Sequence, residues 1–147
     1  MGAPITITIP GAPVAKGRPR IGTDMGGHAC AFTPAKTRSY ENLIKLAAGE
    51  AMNGGAPIDG PLNVAITVYL PIPKSWSKKK TMAAELGHEH PTSRPDVDNF
   101  IKAALDGLNK IVFGDDSQVV QLSAEKKFSP RPRLVVSIHK IMEAPAS

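Results

Sequence analysis

The chain has 147 residues, which is enough for one domain with a core of its own. Apolar residues make up 41% of it but aromatics only 5%, so that core has to rest on Ile, Val, Leu and Ala. The net charge of +5 favours a polyanionic partner such as nucleic acid, the lone Cys30 excludes a disulfide framework, and no apolar run reaches the length of a membrane span.

The N-terminus lacks the charged start and apolar run of a secretory signal, so a cytoplasmic protein is expected. "ITITI" (5–9) alternates strictly and predicts a strand with one buried face. The Pro/Gly-rich stretch 10–22 reads as a loop or an irregular edge segment carrying Lys16, Arg18 and Arg20, and 29–34 as a short return strand. Residues 36–55 have helical spacing of Leu43, Ala47 and Met52, with Asn53-Gly54 as a stop. "PLNVAITVYLPIP" (61–73) is the strongest strand, nearly continuous in β-formers and closed by prolines. A helix over 75–87 begins at a serine cap and ends at Gly87; 88–95 is a loop; 96–109 is the next helix. Two strands, 117–128 and 133–141, are expected to form a hairpin through Ser-Pro-Arg-Pro, and 142–147 to be a loose tail. The order predicts one α+β domain over 1–147, a mixed sheet with helices packed on it.

The acids gather in "RPDVDNFIKAALDGLNKIVFGDDSQVV" (94–120). On a helix, Asp98, Lys102, Asp106 and Asn109 fall within an arc of about 80°, beside an apolar stripe of Ile101, Leu105, Leu108 and Val112. A carboxylate at a helix start ordinarily caps free N–H groups. Capping needs one carboxylate, however, and here Asp96 and Asp98 are followed by a second pair, Asp115 and Asp116. Spacing does not bring the pairs together, because a sheet-bound helix of four turns separates its ends by about 20 Å. Lys102 lies one turn from Asp98, where it serves as an i,i+4 partner or as a charge facing a phosphate.

"RPDVDNFIKAALDGLN" followed by "DDSQVV", with "IPGAPVAKGRPR" and "FTPAKTRSYE" earlier in the chain, resembles the RusA family of Holliday junction resolvases. The resemblance covers nearly the whole chain. It implies a small α+β fold, a symmetric homodimer, and a role in DNA recombination and repair, often in phages and prophages. Asp96, Asp98 and Asp116 are implied as catalytic acids holding Mg2+, with Mn2+ as a possible substitute. Lys102 is implied beside them, and Asp115 is kept as a further metal candidate. The implied reaction is hydrolysis of one phosphodiester in each of two opposed strands of a four-way DNA junction.

Given that resemblance, Lys16, Arg18, Arg20, Lys36, Arg38, Lys78, Lys79, Lys80 and Arg94 are expected to meet DNA phosphates. Several of them sit at helix starts, where cations oppose the dipole. His88 and His90 read as a polar loop rather than a metal site, Trp76 as an anchor or a base-stacking ring, and Lys126 and Lys127 as the solvent face of a hairpin. The alternative function is a non-catalytic junction- or DNA-binding protein with structural aspartates. A phosphatase of the D-x-D type is disfavoured, because "HPTSRP" rather than an apolar strand precedes Asp96.

Overall fold

β4 (Leu62–Pro71) is the spine of the molecule, because it alternates residues that are completely buried with residues that are half-buried. The computed structural model describes residues 4–17, 20–23, 26, 29–32 and 35–141. The other elements are β1 (Ile5–Pro10), β2 (Arg20–Thr23), β3 (Ala29–Phe32), α1 (Ala35–Met52), α2 (Lys78–Glu85), α3 (Val97–Leu108), β5 (Val119–Ser129) and β6 (Arg133–Lys140), with a 3-10 turn over Asp116–Gln118 leading into β5. The sheet order is β1-β6-β4-β5, and β2 pairs with β3 in a separate ribbon. This is a single small α+β domain with a mixed sheet, as expected.

The register puts apolar side chains in rows across the sheet. Ile66 pairs with Val136, which pairs in turn with Ile7; Val68 pairs with Leu134, which pairs with Ile9. Tyr40, Ile44 and Ala48 of α1, and Phe100, Ala104 and Leu108 of α3, close over that face in one buried cluster. Each large side chain in it contributes about 1.5–3 kcal/mol of burial. The two helices cross closely at Gly107, where a Cβ would come within 2.5 Å of Ile44 Cγ2.

Two expectations change. Residues 117–128 and 133–141 do not form a hairpin. β5 runs parallel to β4 on one edge, and β6 runs antiparallel to β4 on the other. A continuous apolar strand needs ladder partners on both edges, so β4 takes the place between them. Strands one apart in a sheet lie about 10 Å from each other. The proline-rich link 130–132 is long enough to bridge that gap across the end of β4. The second change is at 10–22, expected to be a loop or an irregular edge segment, whose end pairs regularly with β3 as β2. The 142–147 tail lies outside the described residues.

Candidate active site

α3 begins at an extended residue, Asp96 (φ −70°, ψ 152°), in the N-cap position. Its side chain makes no cap hydrogen bond. Asp98 stands in the first turn, and Lys102 one turn further along; Asp96, Asp98 and Lys102 are all exposed. The capping explanation therefore does not account for Asp96. Among the described residues, neither Asp98 nor Lys102 enters an ion pair. Two carboxylates and an ammonium are thus exposed on the first turns of α3, a helix held from beneath by the buried stripe of Phe100, Ala104 and Leu108.

The approach to Asp96 is fixed from the sheet. Lys126 Nζ donates to the Ser93 and Pro95 carbonyls, both at 3.0 Å. Lys126 is not on a solvent face as expected. Along β5 it shares its side of the sheet with Ala124 and Phe128, and that alternation was visible in the sequence.

Lys16 also departs from its expected place. Its ammonium bonds Glu41 Oε1 at 2.6 Å and Asp106 Oδ2 at 2.8 Å, and its backbone N–H donates to the Asn99 carbonyl at 2.9 Å. Burial depresses the Lys16 pKa, but the bonds to Asp106 and Glu41 outweigh it and raise the value overall. Gly17 N–H bonds Thr37 Oγ1 at 3.0 Å. Lys16 thus ties the basic N-terminal segment to α1 and α3, with its charge already matched by carboxylates. A cleft of about 630 Å3 lies here, lined by Lys16, Gly17, Arg94, Pro95, Asp96 and Asn99.

The second aspartate pair separates by role. Asp115 N-caps the short turn: its carboxylate accepts from the Ser117 N–H at 3.1 Å and from the Ser117 hydroxyl, while Gln118 Oε1 accepts from the Asp115 N–H. The Ser117 hydroxyl bond, helped by the Ser117 N–H, holds the Asp115 carboxyl below the usual carboxylate range. Asp116 is exposed and takes no part in that capping box.

The chain does not bring Asp116 to the start of α3. Gln118 Nε2 is anchored on the Ile58 and Gly60 carbonyls, and Val119 pairs with Leu62 at the beginning of β4. Pro95 is held by Lys126, which pairs with Val68 near the other end of β4. Seven strand steps from Val119 to Lys126 separate the two places by about 23 Å. Among the described residues of one copy, no three His, Cys, Asp or Glu side chains gather as a metal site would require. Asp96 and Asp98 nevertheless both offer carboxylate oxygens to solvent, the donor type that a hard cation takes.

Most of the other cations expected to meet DNA are exposed. Lys36 is exposed in the first turn of α1, as is Arg38 in the next residues. Lys78, Lys79 and Lys80 open α2 behind the Ser77 cap, and Lys80 also rests on the Trp76 ring. Arg94 is exposed beside Asp96. Arg18 lies outside the described residues, and Arg20 is placed only by its backbone in β2. His88 and His90 are exposed and join no metal-competent group among the described residues.

The profile described as "Endodeoxyribonuclease RusA" matches residues 10–139, which take in all of these elements except parts of the two ends. The chain belongs to the RusA family. It is an endodeoxyribonuclease by that membership, a hydrolase of DNA phosphodiester bonds. A Bacillus subtilis (strain 168) protein named "Uncharacterized protein YqaN" is 41% identical over 139 residues, covering 93% of this chain and 96% of that protein. The protein of Lactococcus phage r1t named "Crossover junction endodeoxyribonuclease rusA" is 32% identical over 84 residues, covering 55% of this chain and 56% of its own. No helix of the described residues is long and apolar enough to cross a membrane.

Proposed function

We propose that this RusA-family protein resolves four-way DNA junctions by magnesium-dependent, paired hydrolysis of opposed strands, in DNA recombination and repair. The observation that carries the reading is the pair of free carboxylates at the start of α3: Asp96 fills the N-cap position with no cap bond, Asp98 follows it, and Lys102 stands beside them. The phage relative's name supplies the substrate class.

Asp96, Asp98 and Asp116 would hold the cation. Bound magnesium offsets the repulsion of the acids and supplies Lewis acidity at the scissile phosphate. Lys102 stabilises the charge that grows on the phosphate oxygens as water adds in line. The bond from phosphorus to the 3′ oxygen then breaks. Arg94, Lys36, Arg38 and the α2 lysines bind phosphates on either side, and Lys16 positions the basic segment that leads to Arg18 and Arg20.

Asp116 reaches this site from a second copy. In one chain it precedes Val119, which lies about 23 Å along β5 from Lys126, the residue that holds Pro95. A two-fold axis near the middle of β5 exchanges the two ends, so Asp116 of each copy meets Asp96 and Asp98 of the other. β5 is an edge strand with exposed Val120 (61%) and Leu122 (45%), an apolar strip that a symmetric partner would cover.

The test is incubation with a labelled four-way junction, a nicked duplex and a linear duplex, with and without magnesium. Symmetric nicks in the junction alone, and only with the metal, are expected. Equal cutting of all three substrates would reduce the protein to a general nuclease.

A further inference from the structure

The loop that enters α3 has a cleft on each side. One contains Asp96; the other, of about 400 Å3, is walled by Trp76 and Phe128 and rimmed by Lys80 and Arg94. Arg94 and Pro95 line both, so a single two-residue wall divides them. Trp76 meets Phe128 edge to face, with centroids 5.0 Å apart at 72°, and Lys80 Nζ lies 4.2 Å from the Trp76 ring centroid. These contacts fix the indole in place, yet it remains only half-buried.

We propose that this second cleft takes a nucleobase unstacked from the DNA strand whose phosphate lies at Asp96 and Asp98. The proposal rests on the resolvase reading and adds a subsite to it. Charge favours a polyanion, because Lys80 and Arg94 outnumber Glu89, the one carboxylate that also lines the cleft. The aromatic and proline walls offer a surface for a flat π-face, and base–aromatic stacking needs no particular base. The shared wall places the subsite next to the scissile position. A stacked duplex keeps its bases out of the cleft, whereas the crossover of a junction gives one up at lower cost.

Trp76 is the chain's one tryptophan, so its fluorescence reports on this cleft without any substitution. Full-length Asp98→Asn protein is titrated with a four-way junction, with a duplex of the same sequence, and with junctions abasic at each position around the cut in turn. The expected result is quenching by the intact junction, little by the duplex, and loss of quenching for one abasic position. In parallel, Trp76→Ala should weaken junction binding about tenfold, and Trp76→Phe should restore most of it. Unchanged fluorescence while a mobility shift shows junction binding, or quenching indifferent to every abasic position, would overturn the subsite. Those results leave the resolvase reading intact if the wild-type protein still nicks junctions. Base-dependent quenching by a wild-type protein that cuts no junction would keep the subsite and remove the resolvase reading.

Discussion

Asp115 and Asp116 are neighbours with the same side chain and different employment. The carboxylate of Asp115 is consumed by Ser117, whereas that of Asp116 is not part of the capping box. Asp116→Asn is therefore expected to lower junction cleavage by more than about a hundredfold, since even the outer partners of metal ligands cost 10–100-fold. Its thermal melting should be unchanged. Asp115→Ala, which removes the cap acceptor, should reverse the pattern, with a lower melting temperature and most of the cleavage kept. pH adds a check. The bond from Ser117 depresses the Asp115 pKa, so the charge's contribution to stability is complete above the ordinary carboxylate value of 3.8 and fades as pH falls through the depressed one. The Asp115→Ala loss should thus be larger at neutral pH than in strong acid, as calorimetry would show. Equal effects of both substitutions on cleavage would remove the distinction. This assignment was only half legible beforehand: motif resemblance favoured Asp116, but the Ser117 bonds that occupy Asp115 depend on local turn geometry that composition does not encode.

Elements position these side chains, and two contacts carry that task for α3. At Gly107 the helix touches Ile44 of α1 with no room for a methyl group. Gly107→Ala gains about 1 kcal/mol of helix propensity and incurs about 1–3 kcal/mol of overpacking. A net loss of stability is expected, read from urea denaturation; a stabilised variant would mean that the helices can separate at little cost. At the other contact, Lys126 anchors the Ser93 and Pro95 carbonyls. Lys126→Met keeps the aliphatic stem and removes three donors. Cleavage should fall roughly tenfold through misplacement of Asp96, with junction affinity nearly unchanged, as single-turnover rates and mobility shifts would show. An unaltered rate would free the loop from that role. Spacing and composition made α1, β4 and α3 readable as elements, but not the face that α1 buries: Leu43 is exposed and Ala47 and Met52 are half-buried, whereas Tyr40, Ile44 and Ala48 enter the core. They could not place β5 and β6, since alternation is identical whether a strand pairs with its neighbour in sequence or skips one. Nor could they find the Lys16 contacts, whose partners Glu41 and Asp106 are 25 and 90 residues away.

At the scale of the whole molecule, the acids proposed as catalytic occupy opposite ends of one strand–helix unit, and the proposed two-fold copy would convert that separation into two equivalent sites. Subunit mixing tests the arrangement without a structure of the dimer. Asp98→Asn and Asp116→Asn homodimers should each be inactive. In a mixed dimer, the Asp116→Asn chain supplies Asp96 and Asp98, and the Asp98→Asn chain supplies Asp116, which together restore one intact site. The other site carries both substitutions. Co-expression of the two chains should therefore recover cleavage, but as single nicks rather than paired ones, visible as nicked junction that is not resolved into linear products. If all the acids of a site came from one chain, each site of the mixed dimer would still lack one carboxylate, and mixing would recover nothing. Substituting exposed Val120 and Leu122 on the β5 edge by lysine should abolish both the recovery and the wild-type activity while leaving a folded monomer, measured by sedimentation. Recovery that survives that change would place the dimer contact elsewhere.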